Sequence, residues 1–207
     1  MTGSSLVARR SNKSSDGPAI ERFCNLLEQR KCSYWLEKEL HEVLPPRRTK
    51  PDFFVRTANH ASVLVEVESF KKDRFTLKAL RQNPVMSGLA DSDNRRFLTA
   101  LQHACNQLKP YRDLQFPSLV VLDDFRCVGM PVNVDILGMC LLGYFDQNSA
   151  RHHVSAVAWL LGGQDVPFYL RVFHNPYANY PMLPNIFASQ SDEHLRVLPG
   201  KFWEKFD

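Results

Sequence analysis

One stretch constrains this chain more than any other: Lys50 to Phe70, KPDFFVRTANHASVLVEVESF. Two runs rich in β-branched and aromatic residues, DFFV and SVLVEVESF, flank the turn-like RTANHA. The pattern predicts a β-hairpin. Period-two alternation puts Glu66 and Glu68 on one face of the second strand and Val65 and Val67 on the other. Asp52 follows Pro51 at the start of the first strand, and a tight hairpin brings it beside Glu66. Carboxylates set together repel, and burial disfavours their ionised forms. Left on an exposed face, they would simply meet water. A divalent cation removes both penalties, and a hard ion such as Mg²⁺ takes one or two carboxylates while keeping waters for a phosphate substrate.

The rest of the chain frames this hairpin. A helix is expected from SDGP to near Arg30, capped by Asp16 or Gly17, with Pro18 in its first turn. Ile20, Phe23, Cys24 and Leu27 form its apolar stripe. SYWLEKELHEVL is read as a strand with Tyr34, Leu36, Lys38 and Leu40 on one face. Residues 73–94 read as a polar connection with one helical turn. A second helix is expected from Asn94 to Tyr111, buried through Phe97, Leu101, Ala104, Cys105 and Leu108. SLVVLDD, VSAVAWLLG and PFYLRVFHN read as strands, and VNVDILGMCLLGYF as apolar with a short helix at its start. Residues 178–207 read as loop-rich. The order of elements predicts an α/β sandwich with a mixed sheet flanked by helices and a β-rich C-terminal extension.

The 207 residues, 44% hydrophobic, suit one domain with a sizeable core. Residues 1–17 read as a flexible tail, and residues 18–207 as a single domain. No apolar run approaches the roughly 20 residues of a membrane span. The N-terminus lacks a signal-peptide core. Five scattered cysteines without knuckle spacing suggest free thiols in a reducing compartment, hence a cytoplasmic protein without a membrane partner. A net charge of +4 tolerates an anionic partner.

Pro51-Asp52 followed after a turn by Glu66-Val67-Glu68 resembles the motif of the PD-(D/E)XK nuclease superfamily, the restriction-endonuclease-like proteins. The resemblance covers residues 18–125, and residues 126–207 form the extension. It implies a core of helix, three strands, helix and strand, with the site across the second and third strands. Asp52 and Glu66 would be metal ligands, joined by the backbone carbonyl of Val67, with Mg²⁺ or Mn²⁺ as cofactor. The third position, normally lysine, is Glu68 here. Some restriction endonucleases carry glutamate there, and Lys71 or Lys72 could supply the missing charge. Several branches place a glutamine on the following helix, which points to Gln102 or Gln107; others use an acidic residue of the first helix, here Glu21 or Glu28. The implied activity is phosphodiester hydrolysis, in DNA before RNA, with Glu68 or a metal-bound hydroxide handling the nucleophile's proton. Arg47, Arg48 and Lys50, just before the motif, would attract the phosphate backbone. A homodimer is compatible with this reading. Glu68 in the lysine position also keeps open a catalytically silent relative that binds nucleic acid or a protein partner. An unrelated α/β domain would disperse the three carboxylates.

Other groups carry less. His152, His153 and His174 read as polar residues at strand ends, since no Cys or acidic residue completes a zinc set at a known spacing. HNPYANYP reads as a tight turn, although its tyrosines could border a nucleic-acid groove.

Overall fold

The computed structural model describes residues 17–57, 59–69, 91–123, 141–146, 149–163, 166–184, 186–187, 191–198 and 201–205. Helix α1 spans Gly17–Gln29 and is followed by β1 (Ser33–Leu36), β2 (Phe53–Arg56) and β3 (Ser62–Ser69). Helix α2 (Asp91–Leu108) leads to β4 (Ser118–Asp123). Strands β5 (Ala156–Gly163), β6 (Val166–His174), β7 (Glu193–Leu198) and β8 (Lys201–Lys205) complete the described elements.

These strands form one mixed sheet in chain order, β1 to β8. The β1–β2 and β2–β3 pairs are antiparallel, and β4 lies parallel to both β3 and β5. The β5–β6 and β7–β8 pairs are antiparallel, and β6–β7 is parallel. The sheet therefore runs without a break from the hairpin into the C-terminal extension.

A helix covers each face. On one side α1 buries Phe23, Leu26 and Leu27 against Phe53, Val63, Val65, Val67 and Val121. On the other, α2 buries Phe97, Leu101, Ala104 and Leu108 against Phe54, Leu64, Val120 and Leu122. The purely apolar face of β3 thus meets α1. The face carrying Leu64, Glu66 and Glu68 meets α2, so the carboxylates do not line an open surface.

Three expectations need correction. The strand expected over SYWLEKELHEVL stops at Leu36. The Glu39 carboxylate accepts the Leu36 N–H at 3.1 Å and the Glu39 N–H donates to the Leu36 carbonyl at 2.7 Å, so the chain turns there. A short 3₁₀ turn, Leu40–Glu42, then buries Leu40 on the α2 side, whereas Leu36 packs on the α1 side. The second helix begins earlier than expected, at Asp91, and its α-helical part ends at Leu108. Pro110 cannot continue an α-helix, and Lys109–Tyr111 tightens into a 3₁₀ turn. The C-terminal stretch expected to be loop-rich contains β7 and β8. The charges of EHLRVL and KFWEK mask their pairing: β6 supplies a parallel partner to EHLRVL across a long crossover, and KFWEK then pairs antiparallel with β7. The N-terminal tail, the connection over 70–90 and the start of the apolar stretch at 132 lie outside the described residues; helical residues are described at 141–146.

Candidate metal and phosphodiester site

The site grows from the place where β2 and β3 part. Phe53 pairs with Val65 at the end of the ladder, so Asp52 faces Glu66 one step beyond it. Their carboxylates take over the work of the ladder. The Asp52 N–H donates to Glu66 Oε2 at 3.2 Å, and the Val67 N–H donates to Asp52 Oδ2 at 2.9 Å. The Asp52 carbonyl accepts the Glu37 N–H at 2.9 Å, which ties β1 to the same corner.

Glu66 is 5% exposed. Burial, then the Asp52 and Glu68 carboxylates, push its carboxyl from the ordinary 4.5 up to about 10; Glu37 adds to this, and the Asp52 N–H opposes it. Two positions along the same face, Glu68 Oε1 is hydrogen-bonded to Nδ1 of His103 on α2. The Glu68 side chain is 13% exposed and that of His103 63%.

Asp52 and Glu66 thus meet at one corner, with the main chain of Val67 beside them, while Glu68 lies two positions along the same strand face and turns to His103. Gln102 turns elsewhere: its Oε1 accepts from Arg151 Nη2 at 2.5 Å. Gln107 offers its backbone carbonyl to Thr49 Oγ1 at 3.4 Å. Glu21 and Glu28 belong to α1, on the opposite side of the sheet from Glu66; Glu28 accepts from the Tyr34 hydroxyl at 3.2 Å. The basic loop is fastened to the end of α2, because the Tyr111 hydroxyl donates to the Thr49 carbonyl at 2.9 Å. Within it Arg47 Nη2 pairs with Asp113 Oδ2 at 2.6 Å, Arg48 is exposed and Lys50 is half-buried. Lys71 and Lys72 lie outside the described residues.

Two contributors carry no signal of their own in the sequence. Glu37 falls inside the stretch expected to be strand, and only its N–H bond to Asp52 marks it. Only the contact between α2 and β3 singles out His103.

The histidines set aside as zinc ligands have structural surroundings. His153 Nε2 lies 2.8 Å from the Cys105 carbonyl and its Nδ1 3.0 Å from that of Ala150; burial holds the ring below its ordinary range. His174 and His194 meet at 3.0 Å. Asn175 organises HNPYANYP as a turn, accepting the Tyr177 N–H at 2.9 Å and donating to the Val154 carbonyl at 2.8 Å. Burial pushes the Cys24 and Cys105 thiols up to about 11, which leaves them poor nucleophiles.

Among the described residues, no three His, Cys, Asp or Glu side chains form a ready ligand cage. Mg²⁺ needs no such cage, since one or two carboxylates and retained waters suffice. The Asp52 and Glu66 carboxylates are hard oxygen donors of the kind such a cation takes. Among the described residues, no helix is long and apolar enough to cross a membrane. The chain matches no protein-family model, no curated protein and no solved structure at a significant level.

Proposed function

We propose that this chain is a Mg²⁺- or Mn²⁺-dependent nuclease of the restriction-endonuclease-like type, hydrolysing phosphodiester bonds in DNA in preference to RNA. The observation that carries the reading is the meeting of Asp52 and Glu66 where β2 leaves β3, with Glu68 close enough along the same face for its charge to act on Glu66. The order helix, three antiparallel strands, helix, parallel strand supports it, because that is the core the motif calls for. Unbridged thiols at the buried Cys24 and Cys105 suit a reducing, cytoplasmic setting.

Asp52 and Glu66 would hold the cation, with the Val67 carbonyl. The cation would polarise the phosphate and lower the pKa of a bound water. Arg48 and Lys50 would steer the polyanion toward the corner. Burial between α2 and the sheet keeps bulk water from Glu66 and strengthens each charge interaction there. Glu68 would help manage the attacking water's proton.

One observation favours a second reading, a catalytically silent relative that binds nucleic acid or a protein partner. Asp52 and Glu66 already serve as backbone acceptors, and Glu68 occupies the lysine position. Titration calorimetry with Mg²⁺ and Mn²⁺ on the wild type and Asp52→Asn separates the two. Metal binding lost in the variant, together with DNA cleavage by the wild type, upholds the nuclease. Heat-silent titrations and intact DNA would leave the silent relative.

A further inference from the structure

Glu68 and His103 form a carboxylate–imidazole dyad at the edge of the Asp52–Glu66 corner. An ionised carboxylate only accepts, so Nδ1 of His103 must donate to it. In the neutral ring Nε2 is then the acceptor. The His103 side chain is 63% exposed, so the ring is open to water. An exposed histidine beside a glutamate is common on helices and means little alone. Here the same glutamate shares a strand face with Glu66, and its charge acts on that buried carboxyl. The dyad is anchored on two elements, α2 and β3, which pack against each other through Leu101 and Leu64 in one core.

We infer that His103 is the proton acceptor of the hydrolysis and that Glu68 is the positioning residue that orients it. This rests on the nuclease reading above. In the step, a water oxygen forms a bond to phosphorus and one of its protons passes to His103 Nε2. The bond from phosphorus to the leaving sugar oxygen breaks with its electron pair, and that oxygen takes a proton from solvent. The imidazolium is stabilised against Glu68 and returns its proton to solvent, while the second water proton stays on the new phosphomonoester. Glu68 thereby acts through a histidine at the position where the motif normally has lysine.

The test uses the full chain with Mg²⁺ or Mn²⁺, on supercoiled plasmid DNA and single-stranded circular DNA. His103→Ala is expected to slow cleavage by about 10²- to 10⁴-fold, the usual contribution of a general base. Added imidazole should restore part of the rate, and calorimetric metal binding should stay as in the wild type. A His103→Ala rate equal to wild type, with Asp52→Asn dead, would overturn the inference and leave the nuclease standing. So would a loss that imidazole does not repair. A wild type that cuts neither DNA sinks both. Independently of activity, ¹⁵N NMR of the metal-free protein should show the neutral His103 ring protonated at Nδ1, with that preference lost in Glu68→Ala. An Nε2-protonated ring in the wild type would remove the dyad outright.

Discussion

Asp52 and Glu66 hold each other's strands: the Asp52 N–H donates to Glu66 Oε2 at 3.2 Å, and Asp52 Oδ2 in turn accepts the N–H of Val67, next to Glu66, at 2.9 Å. The same oxygens that would hold a cation therefore close the sheet at its last rung. This dual duty decides which substitution is informative. Asp52→Ala strips the acceptor from the Val67 N–H and is expected to cost about 1–3 kcal/mol of stability. Asp52→Asn keeps a carbonyl acceptor and should unfold close to the wild-type midpoint in urea. It should nevertheless lose Mg²⁺ binding by calorimetry and reduce DNA cleavage to background.

The burial of Glu66 sets a direction for stability against pH. Its folded carboxyl is raised from 4.5 to about 10. Above pH 4.5 the unfolded chain releases this proton while the folded chain retains it. The folded state then binds more protons than the unfolded one, so this group's contribution to stability falls as pH rises from 4.5 toward 10. Glu66→Gln removes the titration and leaves an acceptor for the Asp52 N–H. Its melting temperature is expected to exceed that of the metal-free wild type by a margin that widens from pH 5 to pH 9. A constant margin across that range in paired thermal melts would mean that Glu66 ionises normally.

Mg²⁺ should reverse this trend in the wild type. A cation needs the carboxylate, so binding must expel the Glu66 proton. Apparent affinity is expected to rise with pH across the same window. Calorimetry in two buffers of different ionisation enthalpy should report the release of protons at pH 7. Identical heats in the two buffers would show that the proton is not displaced.

The parts of this chain legible in its sequence are those governed by local pattern. The Phe53–Arg56 and Ser62–Ser69 hairpin, the Phe97–Leu108 stripe and the SLVVLD strand follow from period and composition. Residues set by distant contacts were not legible. Leu40 looks like a strand residue until Glu39 turns the chain. EHLRVL looks like loop until β6 offers it a parallel edge, with Phe173 opposite Leu195. In the candidate site, the Asp52, Glu66 and Glu68 grouping follows from alternation and a hairpin. His103 and Gln102 are neighbours on one helix, and only the packing of α2 sends one toward Glu68 and the other toward Arg151.

The extension is fastened to the first helix by a buried charge pair. Arg30 Nη1 and Nη2 reach Asp192 Oδ2 and Oδ1 at 2.7 and 2.5 Å, and their side chains are only 6% and 0% exposed. Asp192 also accepts the Leu170 N–H at 2.7 Å. Removing one partner strands a buried charge. Arg30→Met is therefore expected to destabilise by about 3–5 kcal/mol in urea unfolding, and the double change with Asp192→Leu by clearly less. A double variant that loses more than Arg30→Met alone would show that Asp192 matters chiefly through the Leu170 amide.

The basic loop divides its charges unequally. Arg47 is already paired with Asp113 at 2.6 Å, whereas Arg48 is exposed. Each phosphate neutralised by a cationic side chain steepens the salt dependence of binding by about one unit. Arg48→Ala should therefore weaken the binding of a labelled DNA duplex and lower the slope of log K against log salt by about 1. Arg47→Ala should change it less, because Asp113 competes for that guanidinium. Fluorescence anisotropy over a salt series, in an Asp52→Asn background so that the probe is not cut, measures both slopes. An unchanged slope for Arg48→Ala would place the phosphate path away from this loop, and a larger change for Arg47 than for Arg48 would mean that nucleic acid displaces Asp113 on binding.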